Sequence, residues 1–252
     1  MNGIEMNGAD LSILFPAFIA GLLVLATHIP FGMKVLARGV IFADLAVAQI
    51  AGLGMILAGL LDLTEQPLIV QLIAATSALC GAALLAWIEK SFPEVKEACI
   101  GLTFVLAASG GILLLSHDVH SGEHLKDLLV GQILWVSTNQ LIAAALLTVV
   151  LLALWQWTKL KTHTLGFYTL FALAVTASVQ LVGVYLVFAS LIVPALATYR
   201  IQQRRMLVAF MIGITGYAVG LLLSAWYDLP SGATVVWALA VCGAAVMGWK
   251  RL

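Results

Sequence analysis

The densest run of ligand-type side chains is His117-Asp118-Val119-His120-Ser121-Gly122-Glu123-His124. It places three of the chain's five histidines and two carboxylates within eight residues. Imidazole nitrogen and carboxylate oxygen suit zinc and manganese, and a loop can fold several such groups onto one ion. The same run also reads as a solvated loop capping a helix that begins near Glu123. The expectation is a weak, transient attraction of metal by His117, Asp118, His120, Glu123 and His124, because a tight site would retain the ion.

A second set of polar residues lies within apolar stretches. Asp44 is the one acidic residue inside such a stretch. A carboxylate at the centre of a bilayer costs at least ~2.5–3.5 kcal/mol, so such groups usually face a pathway or a partner. Asp44 follows Arg38 by six residues, roughly 9 Å of helical rise. An interfacial aspartate, solvated or paired with an arginine, therefore stands beside the pathway reading. Gln49 comes five residues later, about 140° further around a helix. Both would share a face only if the helix kinked, for instance at Gly52-Leu53-Gly54. His28 precedes Pro30 and Gly32, and a lone histidine in an apolar run is more often a hydrogen-bonded structural residue than a ligand. Asp44, Gln49 and His28 form the candidate metal pathway.

The elements that must position these residues are long and apolar. Hydrophobic residues make up 63% of the chain and charged residues 10%, whereas soluble domains carry about 25% charge. Apolar stretches run over 11–32, 40–61, 68–88, 98–116, 138–157, 165–180, 181–199, 206–226 and 233–249, most of them near the ~20 residues a spanning helix needs. Stretches 165–180 and 181–199 are short and have no polar turn between them. They read as two helices closing on Gly183, in preference to one helix with a broken neighbour. Stretch 125–136 is too short to span and reads as a re-entrant or interfacial helix, or as an extension of the next span. Eleven of the twelve Lys and Arg residues fall at every second junction, Lys126 being the exception. The positive-inside rule then places the N-terminus outside and the C-terminus in the cytosol.

The fold class expected is an all-α integral membrane protein, a polytopic bundle of eight or nine spans in a lipid bilayer, with residues 1–252 forming a single domain. Gly216-x-x-x-Gly220 permits close helix approach, within the chain or in a dimer, and Pro194 marks a kink. Cys80, Cys99 and Cys242 lack metal-type C-x-x-C spacing and suggest no disulfide framework. Zero net charge gives no general attraction to nucleic acid. No G-x-x-x-x-G-K-[ST] loop or H-E-x-x-H helix occurs, so the chain is expected to be no enzyme and to bind no nucleotide itself. Energy for active transport must then come from a partner chain or an ion gradient.

Three stretches carry a family resemblance: Arg38 to Gly54 (RGVIFADLAVAQIAGLG), Val182 to Thr198 (VGVYLVFASLIVPALAT) and Leu229 to Ala233 (LPSGA). Glu123 to Trp135 (EHLKDLLVGQILW) sits where an L-x-G-x-I-L stretch is expected. In this order they resemble the permease subunits of bacterial ABC importers for zinc, manganese and iron, whose fold is that of type II importer permeases. In many members a histidine follows the aspartate by four residues. Ala48 occupies that position and Gln49 follows it, the D-L-A-x-A-Q form of one branch. The resemblance implies an inner-membrane homodimer that takes a divalent metal, zinc before manganese or iron, from a periplasmic binding protein. Two copies of a separate cytosolic ATPase would bind the ATP. Members also carry a cytosolic E-A-x-x-x-G docking segment between the fifth and sixth helices, where this chain has only the short connection 159–164. Two alternatives stand beside this: a gradient-driven metal or solute carrier, and a non-transporting membrane scaffold.

Overall fold

The computed structural model describes residues 8–61, 63, 66–115, 133–157 and 163–249. The expected outer-mouth residues His117, Asp118, His120, Glu123 and His124 lie outside the described residues, as do most of stretch 125–136 and residues 159–162 of the docking connection.

Within the described residues the chain forms nine α-helices and no strand. They are α1 (Gly8–Arg38), α2 (Ala43–Leu60), α3 (Pro67–Ser91), α4 (Lys96–Leu115), α5 (Thr138–Trp157), α6 (Thr164–Val182), α7 (Val184–Ala197), α8 (Arg205–Tyr227) and α9 (Ser231–Trp249). A single 3-10 turn, Ile133–Trp135, precedes α5. Apolar chain in lipid must satisfy its backbone hydrogen bonds internally, and helices do so within one segment. Eight of these helices are long and apolar enough to cross a membrane, and α7, at 14 residues, is shorter. Its rise is roughly 21 Å against a hydrocarbon core of about 30 Å.

The break expected at Gly183 is present. Gly183 has φ +81° and ψ 162°, a conformation that costs glycine little and other residues much. It ends α6 and starts α7 without a loop. α2, by contrast, runs unbroken past Gly52 and Gly54. The kink that would put Asp44 and Gln49 on one face does not occur. Gly54 instead brings α2 so close to α3 that a Cβ there would overlap the Ser77 hydroxyl. Pro194 lies inside α7, one turn from its end, where the carbonyl of Pro194 accepts the Thr198 N–H at 3.2 Å and hydroxyl at 2.7 Å.

The helices alternate in direction. Gly213 of α8 abuts Leu25 of α1, and Gly21 of α1 abuts Tyr217 of α8, so α1 and α8 are antiparallel. A Cβ at Gly216 would lie 2.5 Å from Leu239 Cδ2, and one at Gly220 2.5 Å from the Val235 Cα. The small-residue stripe is therefore used inside the chain, for α8 against α9, rather than left free for a dimer contact. α6 is the central helix, with 72% of its most apolar window buried, and α5 the peripheral one, with 6%.

Alternation gathers the described cations at one end, where α1, α3, α5, α7 and α9 finish and α2, α4, α6 and α8 begin. This basic end holds Lys34, Arg38, Lys90, Lys96, Arg200, Arg204 and Arg205. At the opposite end Gln71 of α3 hydrogen-bonds Gln180 of α6, and Asp228 turns α8 into α9.

Candidate ion-pathway residues

Asp44 stands in the first turn of α2, where the helix dipole favours negative charge. Its residue is 1% exposed, and neither carboxylate oxygen has a hydrogen-bond partner. The interfacial alternatives, solvation or pairing with an arginine, do not describe this environment. Arg38 is engaged elsewhere: its Nη1 donates to both oxygens of Glu89, at 3.2 and 3.1 Å. The guanidinium also lies 4.4 Å from the centre of the Phe167 ring at the start of α6. The clamp ties α1 to α3 and α6, and Asp44 takes no part in it.

Gln49 faces another way. It lines a cavity of about 670 Å³ between α2, α4, α7 and α9, with Leu45, Phe104, Tyr185, Phe188 and Trp237 among the walls. The walls are overwhelmingly apolar, and among the described residues Gln49 supplies their only side-chain amide. Asp44 and His28 are not part of this lining.

His28 is fully buried in α1. Its Nδ1 lies 3.0 Å from the Val24 carbonyl oxygen and 3.0 Å from Thr27 Oγ1. A carbonyl only accepts, so the ring donates through Nδ1, and its lone pair resides on Nε2, which has no partner. The hydrogen-bonded structural role describes one nitrogen and leaves the other free. No hydrogen bond links His28, Asp44 and Gln49 to one another among the described residues.

Two features had no counterpart in the sequence analysis. One is the apolar cavity, which needs the tertiary arrangement of four helices to exist. The other is Glu97 at the start of α4: its Oε1 accepts the Phe42 N–H at 3.1 Å, and its Oε2 is buried without a partner. The signal available in the sequence was only that Lys96 and Glu97 border an apolar run, as many interfacial residues do. No group of three or more His, Cys, Asp or Glu side chains suited to hold a metal occurs among the described residues.

Apolar helices of spanning length, alternate polarity of their ends and an acidic side chain buried within the bundle define a polytopic helical membrane protein. Its fold matches that of a solved structure, PsaBC from Streptococcus pneumoniae in complex with Fab. The TM-score is 0.71 and the identity 20%, over 97% of this chain and 92% of that one. Residues 10–166 and 156–248 match the ABC 3 transport family, and the chain belongs to it. Among individual relatives it is 21% identical over 247 residues to the high-affinity zinc uptake system membrane protein ZnuB of Buchnera aphidicola subsp. Acyrthosiphon pisum, covering 89% of this chain and 92% of that protein. It is 25% identical over 185 residues to the manganese transport system membrane protein MntC of Halalkalibacterium halodurans, covering 65% of this chain. That match spans 63% of the MntC protein's length, just under two thirds.

Proposed function

We propose that the chain is the membrane permease subunit of an ATP-driven importer in the bacterial inner membrane. It passes a divalent metal ion, zinc first and manganese or ferrous iron next, from a periplasmic binding protein to the cytosol. It works as a homodimer with two copies of a cytosolic ATPase, and the chain itself makes and breaks no covalent bond. The observation that carries this is the family match, which runs from residue 10 to residue 248 and so takes in every described span. The relatives named for zinc and manganese support the substrate class.

The geometry agrees with a cycle driven from outside the chain. Hydrophobic walls such as those around Gln49 obstruct a hydrated ion until the helices move. Asp44, buried and without a partner near the basic end, offers oxygen to an ion on its way through. The ordering of metals rests on resemblance, because nitrogen and oxygen donors serve zinc, manganese and iron alike.

The test is metal-limited growth of cells stripped of their own importers, with the cognate ATPase and binding protein supplied throughout. Adding this chain is expected to restore uptake of zinc, or else of manganese or iron, and inactivating the ATPase to abolish it. Uptake that survives ATPase inactivation and collapses with the proton gradient would make the chain a gradient-driven carrier. No rescue by any of the three metals would leave a scaffold.

A further inference from the structure

We propose that Arg38, Glu89 and Lys96 form an ionic latch at the basic end, one that holds two halves of the bundle together and releases to open the cleft between them. The proposal rests on the importer reading only for the passage of an ion through that cleft.

The halves follow from which helices pack on which. α2, α3 and α4 pack on one another. α1, α5, α7, α8 and α9 form a second group, in which α7 and α8 each pack on both α1 and α9 and α5 packs on α1. α6 lies between, against α2 and α3 on one side and α1, α5 and α7 on the other. The apolar cavity is the cleft where α2 and α4 of one half face α7 and α9 of the other. It runs from Val184 and Ala233 to Leu45 and Val193, towards the basic end.

Among the described residues α1 has no extensive packing contact with α2, α3 or α4. What joins it to that half is polar. Arg38 Nη1 donates to both oxygens of Glu89 in α3, at 3.2 and 3.1 Å, and Lys96 Nζ of α4 donates to the carbonyl oxygen of Arg38 at 2.6 Å. The ion pair is largely shielded, its side chains being 13% and 17% exposed. Glu97 of α4 accepts the Phe42 N–H at 3.1 Å, which fixes the start of α2 within its own half. Between these attachments the chain turns at Gly39, whose φ is +64° and whose Cβ position is open space. A glycine there lets the turn flex at little cost, as a hinge position must.

A fastening role alone accounts for Lys96, which satisfies a carbonyl that the end of α1 leaves without a partner. It does not account for the ion pair. Each half is held internally by close apolar packing, and apolar residues of like volume often hold a permanent joint as well as a shielded ion pair, or better. An ion pair at a helix end does what such packing cannot: it parts into two groups that water solvates, and it re-forms in one geometry. The opposite end is tied differently, by the Gln71 and Gln180 amides that fix α3 to α6. With that end fastened, release of the latch opens the cleft towards the basic end.

The experiment is a distance measurement by double electron–electron resonance on the full-length permease in nanodiscs, with Cys80, Cys99 and Cys242 replaced by serine. One pair of labels, at the exposed Glu94 and Arg200, spans the halves at the basic end. A second pair, at the exposed Gln66 and Asp228, spans them at the opposite end. Glu89→Gln and Arg38→Gln are each expected to shift the first distance to longer values and to leave the second unchanged. Each single variant strands one shielded charge, which threatens folding. The Arg38→Gln, Glu89→Gln double variant strands none and carries the same expectation. A first distance equal to the parent's in the double variant overturns the latch. Equal lengthening at both ends is general loosening and overturns it too. Distances that shift as expected, beside a parent chain that restores no metal uptake in cells, count against the importer and leave the latch standing.

Discussion

Asp44 is buried with both oxygens unbonded, a state that costs free energy in the resting protein. Stability alone gives no reason for it: an alanine there would avoid the desolvation penalty, and α2 already has neighbours that are mostly alanine and valine. The favourable return must come from a state in which the carboxylate has a partner, and in the proposed import cycle the moving ion is that partner. Asp44→Ala is therefore expected to leave the amount of folded permease unchanged or raised and to abolish metal uptake. Unchanged uptake at equal membrane abundance would remove Asp44 from the mechanism. Asp44 was legible in the sequence because a lone acid in an apolar run is conspicuous. Glu97 was not, because a glutamate next to a lysine at a helix start looks like any solvated interface. Only the 3.1 Å bond to Phe42, 55 positions away, shows where it points.

At the scale of elements, hydropathy located every described α-helix, because a run of apolar residues in lipid has few alternatives to a helix. The harder junction was the one between α6 and α7, where no polar turn interrupts the run. It was readable through Gly183 alone, and the structure gives the reason: φ +81° is left-handed territory. Gly183→Ala should strain this junction by about 1–3 kcal/mol, because φ +81° with ψ 162° is a region almost exclusive to glycine. The expected outcome is a lower Tm of the detergent-solubilised protein, by a few degrees. A Tm equal to the parent's would mean that the junction relaxes without cost. What the sequence left open was which helices use their small residues against which neighbours. Gly216 and Gly220 could have faced a second copy. Spacing states that backbones approach closely, never whose, and only the placement of Leu239 and Val235 answers that for α8.

For the whole molecule, the pattern of charge and the pattern of packing are independent observations that agree. Charge statistics placed the N-terminus outside by counting cations at junctions, with no knowledge of which junctions meet in space. The fold brings Arg38, Lys96 and Glu89 into contact, and Arg205 to the carbonyl of Ala195, all at one end. The junctions that carry few cations gather at the other end, around Gln71, Gln180 and Asp228. A bundle of this kind has one insertion direction compatible with cations retained in the cytosol. The prediction concerns which end meets which solvent, and it is checked on the full chain with Cys80, Cys99 and Cys242 replaced by serine or alanine. A cysteine at the exposed Glu94, between α3 and α4, should react with a membrane-impermeant maleimide only after the cells are opened. A cysteine at the exposed Leu229, between α8 and α9, should react in intact cells. The reverse pattern would invert the molecule. Asp44 would then lie nearer the entrance of the proposed pathway than its exit.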